Sequence, residues 1–141
     1  MKTFCETVEL NTKQETELID ITRMMESLVR KSGIKEGQAC VYTQHTTSAI
    51  VINEREEGLE KDMVLFLNTI VPPRKNYLHD SAPLDGRLNA HSHLQSLLLQ
   101  ASQTIPVIKG ALALGSWQKI FFAELDGPRP SRRFLVQILG L

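Results

Sequence analysis

Four histidines are the only ones in this chain, and all fall between residues 45 and 93: His45, His79, His91 and His93. Imidazole is the side chain best suited to bind a metal or move a proton near neutral pH. Each lies in a polar setting: His45-Thr46-Thr47-Ser48, Tyr77-Leu78-His79-Asp80 and Asn89-Ala90-His91-Ser92-His93. Three imidazoles plus water, or two with a carboxylate, would suit zinc. No HxxxH or HExxH spacing is present, so a shared site depends on folding to bring distant histidines together. A plainer reading makes each histidine a surface or hydrogen-bonded core residue. Their placement at a bend, in a loop and at a helix start weighs towards function.

Other residues extend the candidate set. Asn53-Glu54 closes a β-rich run, and Asp62 follows in the next helix. Glu54 and Glu56 either complement a helix N-terminus, with Asp62 solvated, or Glu54 and Asp62 help complete a divalent-metal shell. Asp126-Gly127-Pro128-Arg129 has turn composition and is followed by Arg132 and Arg133. Three guanidinium groups beside a turn can clamp a phosphate or carboxylate, although a solvated turn before an edge strand fits the same composition. The sole tryptophan, Trp117, reads as core or interface.

The elements that must position these groups follow from periodicity. Residues 3–10 alternate as a strand, with a turn at 11–14 and a returning hairpin strand to Ile21. Thr22 then caps a helix to Ser32 that turns Met25, Leu28 and Val29 inward and is closed by Gly33. Gln38–Asn53 is β-rich throughout, but one strand of that length would span ~50 Å, against a domain diameter of ~40 Å. It must break at the polar patch 44–48, which puts His45 at a bend. A helix over 56–70 carries Leu59, Met63, Phe66, Leu67 and Ile70 at helical spacing. Residues 71–88 read as a long loop, and a helix to about Ala101 carries a leucine stripe, Leu94, Leu97, Leu98 and Ala101. Strands follow at 105–108, 117–124 and 133–139, with 110–115 as strand or turn.

Two starts compete for the second long helix. Asn89 as its cap makes both His91 and His93 helical, on faces ~200° apart. A Ser92–Gln95 capping box leaves His91 in the loop. Under either start His93 lies in the first turn, where the helix dipole favours a neutral ring.

A length of 141 residues fits one domain, 1–141, with strands at both ends and about three helices between, an α+β arrangement of mixed or antiparallel sheets. Sixteen basic residues balance sixteen acidic ones, so no global field recruits nucleic acid or an anionic membrane. No apolar run approaches the ~20 residues of a membrane span. With no secretory leader and two distant cysteines, Cys5 and Cys40, expected as free buried thiols, the chain reads as cytoplasmic.

Taken in order, HTTSAIVINE (45–54), Asp62, YLHD (77–80), NAHSHLQSLLLQAS (89–102), IPVIKG (105–110) and LGSWQKIFFAELDGPR (114–129) with the arginines after it resemble the YjbQ family, described as secondary thiamine-phosphate synthases. The likeness covers most of the chain. It departs at Pro130-Ser131, which leaves Arg132 and Arg133 both open as the family's basic position. The resemblance implies an α+β fold assembled as a homotrimer, with the polar residues in one pocket near a subunit boundary. It also implies a weak ability to join hydroxymethyl-pyrimidine diphosphate and thiazole phosphate, releasing pyrophosphate. On that reading His45, His79 and His93, and less securely His91, serve metal binding or proton handling. Glu54 and Asp62 support them, and Thr46, Thr47, Asn53, Arg129, Arg132 and Arg133 contact a small phosphorylated substrate. The cofactor is a divalent metal, zinc or magnesium. The alternatives are a non-enzymatic trimeric protein binding a metal or anion, and a metal-dependent hydrolase of a small phosphorylated substrate.

Overall fold

A computed structural model describes residues 1–141. The β-rich run breaks where its length requires, into β3 (Gly37–Thr43) and β4 (Ser48–Asn53), with residues 44–47 as the bend. The two halves enter different sheets. A five-stranded antiparallel sheet has the order β1-β8-β3-β5-β6, built from β1 (Lys2–Leu10), β8 (Arg132–Gly140), β3, β5 (Ser102–Ile108) and β6 (Ala111–Leu112). A three-stranded antiparallel sheet, β2-β7-β4, joins β2 (Glu17–Asp20) and β7 (Lys119–Glu124) to β4. The expected hairpin is therefore corrected: β2 is a strand, but it pairs with β7 while β1 pairs with β8.

The main core lies between the inward faces of both sheets and helix α1 (Thr22–Ser32): Ile21, Met25, Leu28 and Val29 meet Val41, Ile50, Ile105, Phe122, Phe134 and Val136. Thr22 does not cap α1. Asp20 Oδ1 accepts the Thr22 N–H instead, at 2.9 Å, and Thr22 Oγ1 accepts the Ile120 N–H, also at 2.9 Å. Gly33 ends the helix in the left-handed conformation, as its lack of a Cβ allows. Both cysteines are free, but Cys5 is exposed and Cys40 half-buried, because Cys5 falls on the outer side of the β1 alternation.

Four helices replace the expected three, since the long loop contains the short α3 (Leu78–Ser81). Helices α2 (Glu57–Ile70) and α4 (Ala90–Leu98) overturn the periodicity reading most sharply. In α4 the leucines at 94, 97 and 98 face outward, and Leu97 is 79% exposed; the buried side chains are Ala90, His91, Ser92 and Gln95. In α2 only Leu67 is buried, whereas Phe66 and Ile70 are exposed. Two polar side chains inside α4 find backbone partners: Ser92 Oγ donates to the Leu125 carbonyl at 2.6 Å, and Gln95 Nε2 to the Val71 carbonyl at 3.1 Å. Trp117 is exposed, outside the core and before the start of β7.

Candidate functional site

Register brings the site together. Thr43 at the end of β3 pairs with Phe134 near the start of β8, and Ser48 at the start of β4 pairs with Glu124 at the end of β7. The 44–47 bend and the 125–131 connection therefore meet at the same edge of the two sheets. Gly127 lets that connection pass close to the chain before β2: its N–H donates to the Glu15 carbonyl at 2.9 Å, and a side chain there would run into the Gln14 carbonyl. The start of α4 closes the third side through Asn89.

A cleft of about 290 Å3 results, lined by Gln44, His45, Thr46, Thr47, Asp85, Asn89, His93, Arg129 and Arg132, with no apolar residue among them. Two carboxylates hold its arginines. Glu124 receives Arg132 Nε at 2.7 Å and Nη2 at 2.6 Å, together with the Thr12 hydroxyl at 2.8 Å and the Asp126 N–H at 2.9 Å. Asp126 receives Arg87 Nε and Nη2, each at 3.0 Å, Arg129 Nη2 at 2.7 Å and Asn89 Nδ2 at 2.7 Å. Burial alone would raise both carboxyl pKa values. Hydrogen bonds from Arg132, the Asp126 N–H and Thr12 outweigh it for Glu124, and bonds from Arg87, Asn89 and Arg129 hold Asp126 down at about 2. Arg132 Nη2 also donates to Thr47 Oγ1 at 2.9 Å, which leaves the Thr47 hydroxyl proton free to donate.

His45 Nε2 accepts the Arg133 backbone N–H at 2.9 Å, and desolvation followed by the Arg132 charge lowers the ring's pKa. His93 lines the cleft and meets His79 edge to face, with centroids 5.0 Å apart. His79 Nε2 lies 2.9 Å from Asn89 Oδ1. Asn89 starts α4 without a side-chain cap, and Asp80 Oδ1 accepts the Ala90 N–H at 3.0 Å in its place.

Of the residues singled out by sequence, His45, Thr46, Thr47, His93, Arg129 and Arg132 share the cleft, and His79 adjoins it through His93 and Asn89. His91 does not join them. Both histidines are helical, so His91 turns away, its Nε2 3.4 Å from Ser92 Oγ and 3.8 Å from Glu15 Oε1. Asn53 and Glu54 lie at the opposite end of β4, ~17 Å along the strand. Asp62 is exposed on α2. This chain brings none of the three into the cleft. Between the two arginines, Arg132 is buried in the site, while Arg133 is exposed and contributes its backbone N–H.

No three His, Cys, Asp or Glu side chains converge to hold a metal ion. His45 Nε2 already accepts the Arg133 N–H, and His79 Nε2 faces an amide oxygen. The donor set of one chain thus does not fit a zinc site. Sequence reasoning missed Arg87, Asn89, Glu124 and Asp126. The signal available for Glu124 was a carboxylate at the end of the apolar run Ile120–Ala123, which requires a buried counter-charge.

The chain resembles proteins of one family along nearly its whole length. The family pattern described as UPF0047 protein YjbQ-like matches residues 6–141. A UPF0047 protein of Methanothermobacter thermautotrophicus is 46% identical over 140 residues, covering 99% of this chain and 94% of the relative. The UPF0047 protein YugU of Bacillus subtilis is 36% identical over 137 residues, covering 95% and 98%. The crystal structure of a YbjQ-like protein from Sulfolobus solfataricus P2 superposes with a TM-score of 0.94 at 39% identity, covering 99% of each chain. This chain therefore belongs to the UPF0047/YjbQ family.

Proposed function

We propose that the cleft is the phosphate-recognition site of a transferase. It joins hydroxymethyl-pyrimidine diphosphate to thiazole phosphate, giving thiamine phosphate and pyrophosphate. The bond from the pyrimidine methylene to the diphosphate oxygen breaks with its electron pair on oxygen, and the thiazole nitrogen attacks the resulting cation. The supporting observation is the wholly polar lining, in which two guanidinium groups, a free hydroxyl proton and two imidazoles face one small volume. Nη1 of both Arg129 and Arg132 has no partner in the chain and is available to a phosphoryl oxygen. Such donors act where charge develops on the departing diphosphate.

Any divalent ion enters this reading with the diphosphate. Magnesium binds mainly through substrate phosphates and water, whereas zinc needs several protein donors. Homotrimeric assembly is part of the proposal and is supported by the outward apolar residues Leu65, Phe66 and Ile70 on α2 and Leu97 and Leu98 on α4. Light scattering on a sizing column tests it, and a monomeric mass would remove it.

Incubating purified protein with both phosphorylated substrates and magnesium tests the chemistry. Thiamine phosphate should form, at least tenfold more slowly in Arg129→Ala. Release of phosphate without joining would make the protein a hydrolase. The pairing of each cleft arginine with a carboxylate favours a second reading, a non-enzymatic anion-binding protein. Phosphate binding without any turnover would select it.

A further inference from the structure

We propose that the hydrogen bonds around the cleft lock His45 and His79 into opposite tautomers, with the proton on Nδ1 of His45 and on Nε2 of His79, and that Asn89 is the positioning residue for His79. This deepens the phosphate-site reading and rests on it for the role given to His45.

Asp126 anchors the hydrogen bonds that reach His79. Its carboxylate is held by Arg87 and Arg129, and beside two guanidinium groups it stays ionised and can only accept. Asn89 approaches the same carboxylate at 2.7 Å, so the amide nitrogen must face Asp126 and the amide oxygen must face away. That oxygen meets His79 Nε2 at 2.9 Å. An amide oxygen only accepts, so Nε2 carries the hydrogen, and in the neutral ring Nδ1 keeps a bare lone pair. His45 is fixed in the opposite sense. A backbone N–H only donates, so His45 Nε2, which receives the Arg133 N–H at 2.9 Å, is unprotonated and the ring proton sits on Nδ1.

His45 shares the cleft with His93 and His79 contacts it, and the two rings have opposite hydrogen-bonding character. His45 lines the cleft together with Arg129, Arg132 and Thr47, so its Nδ1–H is one more donor for the departing phosphoryl oxygen. It acts by hydrogen bonding, and no proton changes hands. His79, in contact with His93, offers an acceptor. A site that relied on two interchangeable histidines would not need this wiring.

Nitrogen-15 labelling of histidine decides the matter in the intact protein at about pH 8, where unperturbed imidazoles are neutral. Long-range nitrogen–proton correlation spectra report the tautomer of each of the four rings, and His45→Gln and His79→Gln assign the signals. The expected pattern is Nδ1–H for His45 and Nε2–H for His79. The reverse tautomer at either ring, or an imidazolium at His79, overturns the proposal without any variant having to fold. In Asn89→Leu the His79 signals should move to the averaged values of a mixed tautomer while His45 keeps Nδ1–H; an unchanged His79 removes Asn89 from its role. Added inorganic phosphate should shift the His45 Nδ1–H proton. If phosphate shifts the His93 and arginine signals but leaves His45 unmoved, the donor role fails while the phosphate site stands. If phosphate shifts nothing, the phosphate-site reading fails and takes the donor role with it, while the tautomer assignments are judged on their own spectra.

Discussion

Glu124 and Asp126 are two residues apart in sequence and both hold arginines, yet they differ in depth and in what they organise. The Glu124–Arg132 pair is dry: the two side chains are 0% and 4% exposed, and the remaining carboxylate contacts are Thr12 and a backbone N–H. Asp126 is nearer the surface and gathers three partners, Arg87 and Asn89 from the approach to α4 and Arg129 from its own connection. Through Asn89 it reaches the histidines. Depth divides the labour: the inner carboxylate fixes Arg132 and welds the start of β8 to the end of β7, and the outer one gathers Arg87, Asn89 and Arg129 around the cleft.

The inner pair should be the more costly to break. Glu124→Gln preserves shape but leaves the Arg132 guanidinium buried without a counter-charge, a loss of about 3–5 kcal/mol. Urea unfolding followed by circular dichroism measures it. A loss below about 1 kcal/mol would place this pair with solvent-screened surface ion pairs and erase the contrast.

Asp126→Asn should cost less, about 2.5 kcal/mol at neutral pH, from a carboxyl held at about 2 in the folded chain. The sign is fixed by linkage. A folded pKa below the unfolded one stabilises fully above the unfolded value, about 4, and the contribution disappears as pH falls from there through about 2. The stability gap between wild type and Asp126→Asn should therefore close across that acid window and stay constant above it. Glu124 is lowered too, but it is present in both proteins and cancels in the difference. A gap that persists unchanged to the bottom of the window would mean the carboxylate acts by packing rather than by charge.

The contrast also explains what could be read from the chain alone. The break at His45 was legible because a length limit forces it, and Arg129 and Arg132 were legible as a basic cluster beside a turn. Periodicity failed where polar partners override it. The leucine stripe of α4 looks like a core face, but Ser92 and Gln95 occupy the core side and find backbone carbonyls there. Asn89 could be named as a helix cap, yet its bonds to Asp126 and His79 span 37 and 10 residues and follow from no local pattern. Glu54 and Asp62 are expected as carboxylates that help complete a metal shell, but β4 carries Glu54 away from the bend and Asp62 is exposed on α2.

Carboxylates outside both clusters sharpen the comparison next. Glu54→Gln and Asp62→Asn should leave phosphate affinity, measured by calorimetry, within about twofold, a change of ~0.4 kcal/mol. A tenfold loss would show that a neighbouring copy delivers one of them to the cleft, and depth within one chain would no longer define the site.

The smallest effect is expected at Arg133, the neighbour of the most deeply held arginine. Its side chain is exposed, and its one direct contact with the site is its backbone N–H, which His45 Nε2 accepts. Arg133→Ala keeps that N–H and the β8 pairing, so stability should change by no more than about 0.5 kcal/mol, and the His45 tautomer should be unaltered. Phosphate affinity should fall only slightly and the difference should fade with added salt, since an exposed charge acts at a distance and is screened over ~8–10 Å. Arg132→Ala, in contrast, strands Glu124 in the interior and should behave like Glu124→Gln. If the two adjacent arginines instead proved equal in stability and in salt dependence, burial would not be what separates a structural guanidinium from a solvent-facing one at this edge of the sheets.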